Sequence, residues 1–400
     1  MAFDVNKIRA DFPGLNSGLA FFDGPGGSQI PIQVGNAISE AITKPISNRN
    51  TITQSERNAE EIVINFRQAV GDLINADPGG VVYGRSWTQI TYDFSRTIAK
   101  SWKPGDEIIV TNLDHDSNVR PWVQAAESVG AVVRWAKFDL ATGELTTSAI
   151  SDLLNEKTRL VAVTGAGNTL GTRPDIKAIS AAVHQSKALL YVDGVHLTPH
   201  VPIDMQDIGA DFYGFSFYKL FGPHCAALAA KPELLMTLNN DKLLPSTSAV
   251  PERFEFGTLP YELMAGSTAA IDYISNMVQS DLSTRRAKIQ HSMRELEKYE
   301  EELFALMESG IQGLPGVTTY GHAKKRTPTV YFNLKGFQGA QVYQYLADLK
   351  VNAPAGNFYA LEVSRALGLG DTGAVRVGLA PYSTIEDVNR LLDGLHELTK

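Results

Sequence analysis

Cysteine is nearly missing from this chain. Cys225 is the single thiol among 400 residues, which excludes an internal disulfide framework and any cysteine-rich metal centre. Long hydrophobic runs are missing as well. No apolar stretch approaches the roughly 18 residues that a spanning helix needs, so no membrane span is expected. There is no basic excess either: 36 Lys and Arg against 44 Asp and Glu leave a net charge of −8, which disfavours nucleic acid and anionic membrane as partners. The opening MAFDVNKIRADFPGL contains Asp4 and Asp11 and no continuous apolar stretch. It does not read as a secretory signal, and a cytoplasmic protein is expected. What the chain has is ordinary for a folded globular protein, with 44% hydrophobic and 20% charged residues. Its length predicts two or three domains at about 150 residues each.

Between about residues 60 and 230 short apolar runs alternate with helical patterns. GVVYG (80–84), GDEIIVTNL (105–113), AVVRWAKFD (131–139), TRLVAVTG (158–165), ALLYVDG (188–194), DFYGFS (211–216) and CAALAA (225–230) read as strands. Helices are predicted around Ile90–Ile98, Val119–Val129 and Ile176–Val183 from their apolar spacing. Strands that are apolar throughout and separated by helices imply a mostly parallel sheet covered on both faces. Such sheets bind ligands beyond the carboxyl ends of their strands. From about residue 256 the pattern changes. Helices at about 261–279 and 284–308, strands PTVYFNLKG (328–336) and AVRVGLAPY (374–382), and a final helix striped by Ile385, Val388, Leu391, Leu392, Leu395 and Leu398 predict an α+β tail domain. The expected division is a large α/β domain over 18–255 and a small domain made of 1–17 with 256–400.

Three features fall at predicted strand ends of the large domain: Asp193, Lys219, and the Ser86-Trp87-Thr88 step into a helix. A lysine in apolar surroundings loses proton affinity and becomes a candidate Schiff-base nucleophile. An aspartate facing the same crevice suits a protonated pyridine nitrogen. Hydroxyls and free amides at a helix N-terminus suit a phosphate dianion. Each alone has a plainer meaning: a turn or cap residue for Asp193, a lysine reaching for water, an ordinary helix cap at Ser86. Together they are what pyridoxal 5′-phosphate (PLP) requires. A rival pattern, Gly165-x-Gly167 through Gly171 with Asp193 further on, imitates a dinucleotide fingerprint, but its spacing is G-x-G-x-x-x-G and it leaves Lys219 and Arg376 unused.

The blocks LDHDSNVRPW (113–122), GNTLGT (167–172), YVDGVHLTPH (191–200), SFYKLFGPH (216–224) and RFEFGTLPYE (253–262), in this order, resemble the class V aminotransferase family of fold-type I PLP enzymes, and within it a cysteine-desulfurase-like group. The resemblance runs from FFDGPGGSQIP (21–31) to VRVGLAPYSTIEDVNRLL (375–392). It implies a fold-type I architecture with a mostly parallel seven-stranded sheet. It also implies that Lys219 bonds the cofactor aldehyde and moves the Cα proton, that Asp193 holds the pyridine nitrogen protonated, and that His115 stacks on the ring and serves as acid or base. Asn168 and His196 would contact the phenolic oxygen; Ser86, Trp87, Ser216 and Tyr218 would form the phosphate cup, with Trp87 offering only its backbone amide. Gly257-Thr258 would reach the phosphate of a second subunit, which implies a homodimer with shared sites. Arg376 would clamp the substrate carboxylate, the alternative being a structural salt bridge, and Asn357 lies among the loop residues expected at the substrate.

One departure from the family matters most. Desulfurases carry a mobile-loop cysteine whose thiolate attacks sulfur. Here the corresponding stretch is APAGNFYALE (353–362), and Tyr359 stands in that place. Cys225, at the head of an apolar run, reads as a core residue. The expected reaction is therefore C–S lyase chemistry on an amino acid without a persulfide step. Transamination and racemisation or epimerisation are alternatives on the same scaffold, and a non-catalytic PLP-binding partner protein is the alternative from another class. The sequence identifies neither the amino acid nor any sulfur-acceptor protein.

Overall fold

A computed structural model describes residues 3–400 of the chain. The strands of the large sheet are β1 (Val81–Gly84), β2 (Glu107–Thr111), β3 (Val132–Ala136), β4 (Thr158–Thr164), β5 (Leu189–Asp193), β6 (Phe212–Ser216) and β7 (Ala226–Ala230). They lie in the order β1-β7-β6-β5-β4-β2-β3. Only β7 runs against its neighbours, β1 and β6; the four pairings among β2 to β6 are all parallel. Seven strands, mainly parallel, are what the apolar runs predicted. All but β3 are almost wholly buried, so both faces need cover, and alternating polar residues would have no water to meet. β3, at the sheet edge, alternates exposed and half-buried positions.

Helices α1 (Ile32–Thr43), α2 (Gln54–Ile74), α3 (Trp87–Ala99), α4 (Arg120–Val129) and α5 (Ile176–Val183) surround this sheet. Helix α2 opens on a capping box, in which Thr53 accepts from the Glu56 amide and Glu56 reaches back to the Thr53 amide. After α6 (Tyr261–Asn276) and the 28-residue α7 (Arg285–Gln312) comes an antiparallel sheet of β8 (Val317–Tyr320), β9 (Thr329–Leu334), β10 (Ala355–Gly356) and β11 (Ala374–Gly378), ordered β10-β11-β9-β8. Helices α8 (Gly339–Asp348), α9 (Leu361–Ala366) and α10 (Ile385–Leu398) complete this part.

The apolar packing crosses the expected boundaries. Ile8, Phe12 and Leu15 join the core of the large domain, as do α6 and the first half of α7 through Met264, Ile271, Ile289, Met293 and Leu296. The second half of α7, through Leu303, Met307 and Ile311, packs with Ala20, Phe22 and the small sheet. One helix is thus rooted in both cores. Among the described residues no helix is long and apolar enough to cross a membrane.

Candidate active site

The carboxyl ends of β4, β5 and β6, the N-terminus of α3 and the loop after β2 surround a cavity of about 490 Å³. Ser86, Trp87, His115, Asn168, Asp193, His196, Ser216, Tyr218 and Lys219 all line it, so nine of the sequence candidates converge. Thr88, Ser117, Thr164, Ala166 and Val195 line it too. Parallel pairing explains the convergence: the register sets Thr164 beside Asp193 and Asp193 beside Gly214 at the same edge of the sheet.

Lys219 sits in a single 3₁₀ turn after β6 and is 7% exposed. Burial, and then the Arg376 guanidinium, pull its amine down to about 7, against the opposing attraction of Asp193. Asp193 is likewise buried. Desolvation raises its carboxyl to about 6, although the Val195 amide, the Trp87 indole and Lys219 all favour the anion. The indole contact was not expected. Trp87 Nε1 donates to Asp193 Oδ2 at 2.8 Å, so its side chain is engaged at the site, not its backbone amide alone.

His115 accepts from the Ser117 amide at Nδ1, 3.1 Å, which leaves its ring proton on Nε2. Burial, then Lys219 and Arg376, push it down to about 3, so the ring is neutral at physiological pH. A neutral ring suits stacking. Behind it Asp114 is fully enclosed and bonded by Thr111 and by Asn118 Nδ2, and burial pushes its carboxyl up to about 8. His196 directs Nε2 to the hydroxyls of Thr327 and Thr329, which tie it to the small domain. Ser86 accepts from the Gln89 amide and caps α3, its own O–H remaining available as a donor. The Tyr218 ring stacks on His224.

Arg376 is 2% exposed on β11. Its Nη1 donates to the Asn168 carbonyl at 3.2 Å, its Nε has no partner, and among the described residues no carboxylate pairs with it. The structural salt bridge is therefore not what holds it. The Phe358 ring lies 3.7 Å from the guanidinium carbon and fixes its plane. Asp23 carries a buried Oδ1 without a partner, and its charge acts on Arg376. Asp23 and Phe358 had no role in the sequence reading. The FFDGPGGSQIP block gave the only signal for the first; nothing local marks the second.

Three candidates are placed elsewhere. Asn357 spends its side chain on structure, accepting from the Tyr359 amide in its own turn and donating to the Asp371 carbonyl beyond α9. Gly257 and Thr258 are exposed and outside this cavity. Tyr359 is 73% exposed, its ring centroid 5.5 Å from that of His115. Cys225 is buried against Ser267, and desolvation lifts its thiol to about 12. The dinucleotide pattern lacks its context, because no helix opens on the glycines; the next one begins at Ile176.

The residues present fit PLP. An amine of lowered proton affinity and a buried carboxylate face one cavity with a helix N-terminus on its wall, and Asn168 Oδ1 is a buried acceptor without a partner. Among the described residues no group of three or more His, Cys, Asp or Glu is placed to hold a metal ion.

The family model described as Aminotransferase class-V matches residues 20–391. An aminotransferase-like protein, FGM3, of Gibberella zeae is 32% identical over 98% of each chain. A cysteine desulfurase of Shigella sonnei is 29% identical over 100% of this chain and 99% of its own. Among solved structures the cysteine desulfurase CsdA of Escherichia coli, in an S-sulfonic acid form, superposes with a TM-score of 0.87 over 100% of both chains at 24% identity, a likeness of fold. With the model spanning nearly the whole chain, the protein belongs to the class V aminotransferase family and is related to its cysteine desulfurases.

Proposed function

We propose that this protein is a PLP-dependent enzyme that removes the Cα proton of an amino acid and expels a sulfur substituent from Cβ, a C–S lyase reaction with no persulfide on the enzyme. The observation that carries the reading is the meeting of Lys219 and Asp193 in one cavity, with an unpaired Arg376 beside them. Bound PLP would supply an electron sink for the charge left at Cα. The chain's own residues do the rest. Lys219 holds the cofactor and carries the proton between Cα and Nζ. Asp193 stays anionic and keeps the ring nitrogen protonated. Arg376, held flat by Phe358, presents Nε and Nη2 to the substrate carboxylate. Neutral His115, on the cavity wall, would stack on the ring. Ser86, Ser216, Tyr218 and the first amides of α3 hold the phosphate.

Against a persulfide step stand the buried Cys225 thiol and the phenol at position 359. A homodimer completes the reading, with the exposed Gly257-Thr258 of one subunit reaching the phosphate of the other. The likeness to an aminotransferase-like protein favours transamination as the second reading. Single-turnover product analysis of the holoenzyme with cysteine and cystine separates them. A keto acid with released sulfide or thiol supports the lyase. Stoichiometric conversion to pyridoxamine phosphate supports transamination and removes the lyase.

A further inference from the structure

The Trp87 side chain is used in a way that a phosphate cup does not require. As the first residue of α3 it has its backbone amide at the helix N-terminus. Its indole instead runs back across the sheet, stacks on Tyr191 with ring centroids 5.3 Å apart, and donates Nε1–H to Asp193 Oδ2 at 2.8 Å. The sheet makes room for it. Gly214 is the cross-strand neighbour of Asp193, and a Cβ there would lie 2.0 Å from the indole Cζ3. A glycine inside a strand costs stability and usually marks the close approach of another group. Here that group is the indole. On the other side Tyr191, fully buried, carries Trp122 edge-on and donates its hydroxyl to Thr91, which in turn bonds the Trp87 carbonyl. The indole is fixed at both its ring and its backbone.

We propose that Trp87 is a positioning residue for Asp193: its indole N–H anchors Oδ2, complements the Val195 amide on Oδ1, and holds the carboxylate anionic and correctly turned toward a basic ring nitrogen. This rests on the PLP reading of the site. Two N–H donors favour the charged form of a buried carboxylate and lower its appetite for a further proton. The shared proton therefore stays on the cofactor nitrogen, where it keeps the ring electron-poor.

The test uses Trp87→Phe, which keeps an aromatic ring against Tyr191 and removes the donor together with the second ring, a packing loss that the double-variant comparison separates from the lost bond. The charged or titratable groups facing Asp193 are Lys219, Asp114, Tyr191, Tyr213 and Tyr218. In the PLP-free protein the Trp87 contribution to fluorescence, taken as wild type minus Trp87→Phe, is followed against pH. A titration that disappears in Asp193→Asn, while Lys219 and Asp114 are intact, supports the bond. A signal unchanged by Asp193→Asn overturns the proposal. PLP affinity is then measured by fluorescence titration. Trp87→Phe weakens it about tenfold in the wild-type background and has no further effect in Asp193→Asn. Equal losses in both backgrounds assign Trp87 to packing or the phosphate cup and refute the positioning role. Gly214→Ala, which displaces the indole without removing it, must weaken PLP binding as Trp87→Phe does; unaltered affinity counts against the proposal. A wild-type protein that takes up no PLP defeats the cofactor reading, and the pH titration alone then decides whether Trp87 controls Asp193.

Discussion

At pH 7 the Lys219 amine is about half deprotonated, because burial and the nearby Arg376 bring it down to about 7. An exposed lysine, titrating near 10.4, has roughly 4 in 10,000 of its amines free at that pH, so the fold raises the reactive fraction about a thousandfold. Only the free amine attacks an aldehyde. The rate at which PLP-free protein captures PLP should therefore climb as pH rises through about 7 and level off above it. Rapid mixing followed by absorbance of the bound cofactor measures this from pH 5 to about 10. Arg376→Gln supplies the second arm. Removing a positive neighbour stabilises the ammonium, so the midpoint moves up; burial is the larger cause, so it stays below that of an exposed lysine. Linkage gives the same sign for stability. Between pH 7 and the ordinary lysine range the unfolded chain holds a proton that the folded chain has lost, so stability contributed by this group rises with pH across that window. A capture rate that keeps climbing tenfold per unit up to pH 10 would falsify the buried-amine argument.

Other outcomes follow from the same geometry. Arg376→Ala should raise KM for amino acids roughly a hundredfold, about 3 kcal/mol for a lost charge-assisted pair, and leave the corresponding amines almost unchanged; equal effects on both remove the clamp. Cys225 should resist thiol reagents until denaturant is added, and Cys225→Ala should retain turnover; loss of turnover in a folded variant would restore a thiol step. Tyr359 and Phe358 adopt left-handed backbone at φ 59° and 53°. Tyr359→Gly should therefore gain roughly 0.5–1 kcal/mol in denaturant unfolding, and a loss instead would mean that the ring contact with His115 outweighs the strain.

The strands of the large sheet were legible because most are apolar runs, a consequence of being covered on both faces; β3, at the edge, was legible from its β-branched and aromatic residues. Their order and ends then brought Asp193, Lys219 and Ser86 to one edge without further information. Helix Ile176–Val183 was legible to the residue, since Asp175 caps it and its apolar spacing is regular. Helix Gln54–Ile74 was passed over although Thr53 and Glu56 announce its start. The domain division was less accessible, because a charged amphipathic helix gives no sign that its two halves enter different cores. The indole of Trp87 was hidden for another reason: its direction depends on an empty place at Gly214, a residue 127 positions away that meets it only across the sheet. Asn357 shows the converse, a polar loop residue whose hydrogen bonds are consumed by its own turn and by the Asp371 carbonyl beyond α9.

Helix α7, 28 residues long, is embedded at one end among Ile289, Met293 and Leu296 and at the other among Leu303, Met307 and Ile311. A rod about 42 Å long, clamped at both ends, resists hinge-bending between the parts it joins. The span from Asn357 to Ala360 is tied down as well, because Asn168 Nδ2 donates to the Phe358 carbonyl and the Asp116 amide to the Tyr359 carbonyl, so the cleft is roofed by contacts from both lobes. The protein is built as a fixed vessel.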